Sequence, residues 1–348
     1  MTRPGSIYIA AAVLAAFTFT GCKKKDDAQG GAKVTLNASG ATFQKAAQEV
    51  AIEAFAAVNK DITVNYGAGG SGKGRKEFAD GVVDYACTDA PYKPDEAAKA
   101  KGGELFYIPN VLAAITVSYN LSGVDKLQLS PEALAKIFQR EVKRWNDPAI
   151  AADNPGVALP DTEIVVARRA DGSGTTENFT KYLHDTTGGA WKLGSGSTVE
   201  WPGDTQAGNG NNGVAGIVKK TSGAIGYVDL SDAVENKLVY AAIKNAAGKY
   251  VLPDAASVTA AADGIVIDDK LLFSALNARG DAAYPITAQS WCVVYAKQTD
   301  RAKGNALKTW FKFLLTDGQE LLPAIHFAPV PKALQDKALA QIEKIQVP

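Results

Sequence analysis

Histidine, cysteine and an excess of charge of either sign are scarce in this sequence. Its 348 residues include two histidines, His184 and His326, and three cysteines, while 37 basic and 37 acidic side chains leave no net charge. A balanced charge without a basic stripe disfavours a nucleic-acid partner. No histidine, cysteine or glutamate cluster has metal-ligand spacing, so we expect no metal and no cofactor. Neither histidine is placed to activate a serine, as a serine hydrolase would require.

Only one long apolar run is present, and it lies at the amino terminus. Residues 7–19 are too few to span a membrane as a mature helix and are typical of a secretory signal. The run ends in Phe-Thr-Gly-Cys, which resembles a lipoprotein processing site and predicts that Cys22 carries a lipid. An ordinary signal peptide with an incidental cysteine is the alternative. We therefore expect a signal peptide at 1–21 and a flexible tether at 22–33. The exported protein would lie in the periplasm or at the cell surface and touch the membrane only through its lipid.

The other two cysteines, Cys87 and Cys292, lie in apolar runs that read as strands. Two buried thiols are the commoner outcome of such a pattern. A disulfide stays open as an alternative because an exported protein meets an oxidising compartment. Neither residue has the surroundings of a catalytic thiol.

From residue 34 onward, short β-rich runs alternate with helical patterns. Strands are predicted at 34–38, 62–66, 82–87, 111–119 and 286–295, and helices at 42–58, 75–80, 131–145, 309–315 and 334–345. Repeated strand–loop–helix units predict an α/β fold with a mainly parallel, doubly wound sheet, whose ligands bind beyond the carboxyl ends of the strands. The chain is long enough for two lobes.

The densest chemistry lies in one loop, Arg-Arg-Ala-Asp-Gly-Ser-Gly-Thr-Thr, between a β-branched run and a helical pattern. Ser173, Thr175 and Thr176 would bring hydroxyl and N–H groups to the positive end of a helix. Arg169 adds a planar set of donors that suits a tetrahedral oxyanion, and Asp171 is close enough to orient it. A capped helix without a ligand is the alternative.

Two similar loops occur earlier in the chain. Ala-Ser-Gly-Ala-Thr-Phe places the N–H and hydroxyl of Thr42 where an anion could bind, although capping of the helix by Ser39 or Thr42 needs the same geometry. Gly-Ala-Gly-Gly-Ser-Gly-Lys-Gly contributes Ser71 and nearly reproduces the phosphate loop of nucleotide hydrolases. Its last residue, Gly74, lacks the hydroxyl that would bind Mg²⁺, and an exported chain is away from ATP. We therefore expect an anion-binding loop and not a nucleotide hydrolase.

A carboxylate follows the third predicted strand at Asp89. Orthophosphate near neutral pH carries a proton that an ionised carboxylate can accept, whereas sulfate has no proton to donate. Asp89 would then select against sulfate. An Asx turn before Pro91 is the alternative, since aspartate is common in such turns.

Together these stretches resemble the high-affinity phosphate-binding proteins that supply the ABC-type phosphate importer of bacteria. The resemblance covers nearly all of the chain from residue 34. It is strongest in six stretches, at residues 38–43, 84–91, 145–155, 168–175, 223–228 and 285–287.

The resemblance implies a two-lobed periplasmic-binding-protein clamshell of type II, each lobe with a mainly parallel, doubly wound sheet. The first lobe would comprise 34–115 and 286–348, and the second 116–285. The implied phosphate ligands are Thr42, Phe43, Ser71, Asp89, Arg169, Ser173, Gly174 and Thr175, with Asp171 orienting Arg169. The implied partners are inorganic phosphate and an ABC permease, and we expect a monomer that is not an enzyme.

Three residues depart from the family pattern near these loops. Gln44 replaces a usual proline, Gly72 replaces a common second serine, and Lys73 adds a cation where glycine is usual. Lys73 leaves the affinity and its pH dependence open. The alternatives to phosphate binding are a binding protein for sulfate, molybdate or arsenate, and a secreted phosphatase-like hydrolase.

Overall fold

The computed structural model describes residues 33–348, which form one compact unit. The predicted signal peptide, the tether and the lipid-bearing Cys22 lie outside the described residues. Within residues 33–348, no helix is both long enough and apolar enough to cross a bilayer.

Strands and helices alternate through most of the described chain. The strands are β1 (Val34–Gly40), β2 (Ile62–Ala68), β3 (Tyr85–Thr88), β4 (Leu105–Tyr119), β5 (Gln128–Leu129), β6 (Val165–Arg169), β7 (Gln206–Gly208), β8 (Ala224–Asp229), β9 (Val239–Tyr240), β10 (Ala242–Lys244), β11 (Tyr250–Val251) and β12 (Thr287–Tyr295). The helices are α1 (Lys45–Val58), α2 (Ser71–Ala79), α3 (Pro94–Ala97), α4 (Pro131–Phe138), α5 (Pro148–Ala151), α6 (Gly174–Thr186), α7 (Gly210–Lys220), α8 (Leu230–Glu235), α9 (Ala255–Ala262), α10 (Arg301–Leu315), α11 (Asp317–Leu321) and α12 (Lys332–Glu343), with a 3₁₀ turn at Leu322–Ile325.

The main sheet has the strand order β2-β1-β3-β12-β4-β8-β6-β7, and β9 adds to β4. Two parallel groups stand at its ends: β1 pairs with β2 and β3, and β6 pairs with β7 and β8. The central strands β12 and β4 run antiparallel to their neighbours. A second sheet joins β11, β10 and β5. Parallel groups interleaved with helices make the fold α/β, as the alternating pattern predicts.

The long strand β4 connects the two parallel groups. Its residues up to Ala114 pair with β12, and from Ile115 onward they pair with β8. We use the name first lobe for residues 34–115 with 286–348, and second lobe for 116–285. This change of partner supports the division, whose boundaries stay a proposal.

Aromatic side chains fill the core on both sides of β4. In the first lobe, Phe55 of α1 packs against Trp310 and Phe313 of α10, with ring centroids 5.1 Å apart in both pairs. In the second, Phe179 of α6 stacks on Tyr227 of β8 at 4.5 Å. The second contact packs α6 against β8.

Two predicted helices are longer than the observed ones. The helix predicted at 131–145 ends at Phe138, because the backbone at Arg140 adopts a left-handed conformation with φ of 65°. The helix predicted from residue 42 begins at Lys45, so Thr42 and Phe43 lie in the preceding turn. That turn leaves their N–H groups outside the helical hydrogen-bond pattern.

Cys87 and Cys292 face each other on the adjacent strands β3 and β12. Both thiols are fully buried and unbonded, with 3.8 Å between the sulfur atoms. The prediction of two buried thiols is confirmed, and burial raises the pKa of the Cys87 thiol well above its usual value.

Candidate functional site

The candidate site begins in the turn that follows β1. Among the described residues, no acceptor lies in hydrogen-bonding reach of the backbone N–H groups of Thr42 and Phe43. Helix α1 has Gln44 at its amino-terminal cap position, without a side-chain capping bond. The alternative in which Ser39 or Thr42 merely caps this helix is therefore wrong. Two backbone donors remain available to an anion at this turn.

Asp89 follows β3 and is 1% exposed. Its Oδ2 accepts a hydrogen bond from the hydroxyl of Ser71 at 3.2 Å, and its Oδ1 accepts one from Ser290 at 2.6 Å. The Asx-turn alternative is wrong, because such a turn needs a hydrogen bond from the N–H two residues after Asp89, and Pro91 has no N–H. Ser71 is the first residue of α2, so the second loop and the third strand meet at this carboxylate.

The ionisation of Asp89 is balanced near neutrality. Burial raises the pKa of this carboxyl to about 7, although hydrogen bonds from Ser290 and Ser71 and the charge of Arg169 all lower it. The carboxylate can therefore accept a hydrogen bond from a protonated ligand whose own affinity for the proton differs little from that of Asp89.

Arg169 ends β6 and is almost fully buried. Its Nε donates to Asp171 Oδ1 at 2.8 Å, its Nη2 also bonds Asp171, and its Nη1 donates to Asn211 Oδ1 at 2.7 Å. Nη1 also lies 3.4 Å from the hydroxyl of Thr175. Burial raises the pKa of Asp171, but the hydrogen bonds and charge of Arg169 outweigh it, so the pKa lies below its usual value. The guanidinium is held rigidly by an ionised partner.

The amino terminus of α6 supplies the remaining donors. The hydroxyl of Ser173 caps the helix by accepting from the N–H of Thr176 at 3.0 Å. Among the described residues, the N–H groups of Gly174 and Thr175 meet no acceptor. A Cβ on Gly174 would lie only 2.5 Å from Ser71 Oγ and 2.6 Å from Asp89 Oδ2. The close approach of α6 to the first lobe therefore requires glycine at this position.

The lobes touch each other directly around the site. Across the cleft, Gly72 N–H donates to the carbonyl of Gly172 at 3.0 Å, and Asn178 Nδ2 donates to the carbonyl of Asp89 at 2.8 Å. A groove of about 290 Å³ lies between the lobes beside Thr42 and Asp171. Its lining residues are Thr42, Lys45, Ala68, Gly69, Asp171, Asn209, Gly210, Asn212 and Asp232.

Comparison with known proteins agrees with this geometry. A family model described as a PBP superfamily domain matches residues 27–318. The phosphate-binding protein PstS of Xylella fastidiosa, strain Temecula1, is 35% identical over 342 residues, which cover 92% of each chain. PstS of Methanocaldococcus jannaschii is 35% identical over 320 residues, 85% of this chain and 81% of the relative. The chain belongs to the PstS family of phosphate-binding proteins.

Solved structures show the same fold. The high-affinity periplasmic phosphate-binding protein PfluDING superposes with a TM-score of 0.75 at 20% identity, covering 88% of this chain and 93% of that one. A phosphate-binding protein from Stenotrophomonas maltophilia gives 0.70 at 19% identity, covering 89% and 94%. The expected periplasmic-binding-protein fold is confirmed.

In this PstS-family chain, three side chains that the sequence did not single out also contact the site. Ser290 on β12 donates to Asp89, and Asn211 on α7 accepts from Arg169. The hydroxyl of Tyr227 on β8 accepts a hydrogen bond from the backbone N–H of Arg169 at 3.2 Å. Each comes from an element distant in sequence, and none of the three is predicted from the sequence alone.

Lys73, the unusual cation of the second loop, is paired within its own helix. Its ammonium lies 3.6 Å from Glu77 on the same helix, and more than half of its side chain is exposed. The same ammonium would lie 3.3 Å from a Cβ on Gly69, which lines the groove, so its charge stands beside the site and is weakened there by salt screening.

Proposed function

We propose that this protein captures inorganic phosphate between its two lobes and delivers it to an ABC-type phosphate permease. One observation supports this most: donors from both lobes converge on a cleft that also holds a buried acceptor. The unpaired N–H groups belong to Thr42, Phe43, Gly174 and Thr175. The guanidinium of Arg169 adds a positive charge. Such a set suits a tetrahedral oxyanion.

The acceptor narrows the choice of anion. Asp89 would receive the proton that orthophosphate carries near neutral pH, whereas sulfate would meet its negative charge without a bridging proton. Two buried acceptors that face each other without a proton, such as sulfate and the Asp89 carboxylate, cost several kcal/mol of binding free energy unless one of them is protonated. Binding of sulfate or molybdate is therefore disfavoured wherever Asp89 is ionised. Arsenate has the same shape and protonation as phosphate and is not excluded by this argument.

Binding without turnover fits the site better than hydrolysis. His184 and His326 are both exposed, the first on α6 and the second after the 3₁₀ turn. The hydroxyl of Ser173 accepts a capping bond, and among residues 33–348 it has no basic hydrogen-bond partner to remove its proton. The related PstS proteins are named as phosphate-binding proteins.

Export and membrane attachment complete the proposal. The amino-terminal signal and Cys22 support a lipoprotein whose folded part begins near residue 34. A PfluDING structure of the same fold is described as periplasmic. We propose a monomer held by one lipid next to its permease.

The test is a titration of the delipidated, phosphate-stripped protein with radiolabelled phosphate, with sulfate as competitor. A ligand at a thousandfold excess over its dissociation constant adds about 4 kcal/mol to the free energy of unfolding. Phosphate should then raise the melting temperature by roughly 5–10 °C, while equal sulfate or chloride should not. An unchanged melting temperature with phosphate, together with no saturable label binding, would refute the proposed function.

A further inference from the structure

Asn211 is fully buried in the first turn of α7, and every polar atom of its side chain has a charged partner. Its Oδ1 accepts from Arg169 Nη1 at 2.7 Å. Its Nδ2 donates to Asp229 Oδ2 at 2.6 Å. The amide therefore links the anion-binding arginine to a carboxylate at the end of β8.

The same residue also reaches the other lobe. Its backbone N–H donates to the hydroxyl of Thr42 at 3.3 Å across the cleft. The preceding Gly210 donates its N–H to Asp171 Oδ1 at 2.9 Å, beside the guanidinium of Arg169. The first turn of α7 thus contacts Thr42, Arg169 and the partner of Arg169 at once.

We propose that Asn211 is a positioning residue, which sets the orientation of Arg169 and joins it to the closed arrangement of the lobes. This inference rests on the proposed function, because it concerns the affinity for phosphate. Asn211 would act on phosphate through Arg169 and Thr42 and would not itself touch the ligand.

The chemistry of the two partners fixes the amide in one orientation. A guanidinium only donates and an ionised carboxylate only accepts, so Oδ1 must face Arg169 and Nδ2 must face Asp229. Asp229 is itself held, since its Oδ1 accepts from the hydroxyl of Ser231 at 2.6 Å and the N–H of Asp232 at 3.0 Å. The chain of bonds leaves the guanidinium of Arg169 little freedom to turn.

A carboxyl group in place of the amide would face two cations and three acidic groups. The charged neighbours are Arg169, Asp171 and Asp229 in direct or adjacent contact, and Asp232 and Lys45 along the groove. Burial and the nearby Asp229 raise the pKa of Asp232 above its usual value. An added carboxylate in contact with Asp229 would hold a proton more readily than an isolated one, because two buried carboxylates in contact repel each other when both are ionised.

The first experiment measures phosphate affinity of Asn211→Asp at pH 8 and pH 6. At pH 8 the ionised carboxylates repel, and we expect a loss of roughly 30-fold relative to wild type. At pH 6 a shared proton restores a donor to Asp229, and the loss should shrink to about threefold. The control Asn305→Asp adds the same charge at an exposed asparagine of α10, outside the groove, and should stay within about twofold of wild type at both values.

Two further variants separate positioning from a structural role. In Asn211→Asp/Asp229→Asn the donor and acceptor are exchanged, so affinity at pH 8 should return to within about fivefold of wild type. In a double-mutant cycle, Asn211→Ala should cost about tenfold in the wild-type background and less than twofold in Arg169→Ala. The cycle needs no folded Asn211→Asp protein.

The outcomes are distinct. Losses that add in the cycle, or an Asn211→Asp defect that is equal at both pH values and is not rescued by the exchange, would overturn the positioning role. If wild type itself binds no phosphate, the proposed function fails and not this inference.

Discussion

Replacement of Asp89 by asparagine tests how the site tells phosphate from sulfate. The carboxylate is 1% exposed and accepts hydroxyl hydrogen bonds on both oxygens, from Ser71 and Ser290. Asparagine keeps the shape and can still accept through its oxygen. It removes the negative charge and adds an NH₂ group from which sulfate can accept a hydrogen bond.

The size of the effect follows from the bonds that change. A hydrogen bond to a charged group contributes roughly 1.5–3 kcal/mol, and each 1.4 kcal/mol is about tenfold in affinity. Phosphate loses a strong bond and gains a weaker one, whereas sulfate loses a repulsion and gains a donor. Asp89→Asn should therefore lower the phosphate-over-sulfate preference by at least about tenfold, chiefly through tighter sulfate binding.

The pH gives a second arm to the same prediction. With a pKa of about 7, Asp89 in the unliganded protein is about nine-tenths ionised at pH 8 and about one-tenth ionised at pH 6. Sulfate does not titrate in this range and should bind the protonated form. Its affinity for wild type should then rise about tenfold from pH 8 to pH 6, while its affinity for Asp89→Asn should not change.

The assay is competition of sulfate against radiolabelled phosphate at both pH values. Arg169→Ala serves as the contrast, because loss of the guanidinium should weaken both anions and leave their ratio within about threefold. An unchanged ratio in Asp89→Asn, together with a flat wild-type sulfate affinity between pH 8 and pH 6, would show that the selection lies elsewhere.

Two further predictions concern closure and attachment. Gly174→Ala should lower phosphate affinity by roughly 100-fold or more in a binding isotherm, because its Cβ would clash with Ser71 and Asp89 across the cleft. The control Gly216→Ala, whose Cβ meets nothing within 4 Å, should bind phosphate as wild type does. Equal phosphate affinities in the two variants would contradict the reasoning. Cys22→Ser should move the exported protein from the membrane fraction to the soluble fraction at unchanged phosphate affinity, whereas a variant that stays with the membrane would exclude the lipid anchor.

The sequence carries enough local information to predict the groups that lie at strand ends. Thr42, Asp89 and Arg169 each follow a β-branched or apolar run, and the carboxyl ends of parallel strands are where such folds bind ligands. The glycine loops identify the helix starts, because an anion needs close approach to backbone N–H groups. These signals are contained within about ten residues of chain.

The remaining contacts could not be predicted because they depend on pairing across long sequence distances. Ser290 meets Asp89 only because β12 inserts antiparallel between β3 and β4. Asn211 meets Arg169 only because α7 follows a strand that pairs with β6. Periodicity gives the presence of a strand but not its neighbours, so a polar residue beside the site looks like any other polar residue.

Some hydrogen bonds of the site lie within one lobe and others join the two lobes, and this difference affects how easily the lobes can separate. The strongest polar contacts of the site lie inside a lobe, where Asp171 holds Arg169 and Ser290 holds Asp89. The contacts across the cleft are of mixed kind: Gly72 donates its N–H to the carbonyl of Gly172, and Arg75 lies 3.8 Å from Glu177. Binding groups that are oriented before closure lose little conformational entropy when the lobes meet. A ligand that bridges both sets of donors would favour a closed state through contacts that an open state lacks, as the proposed capture and release of phosphate require.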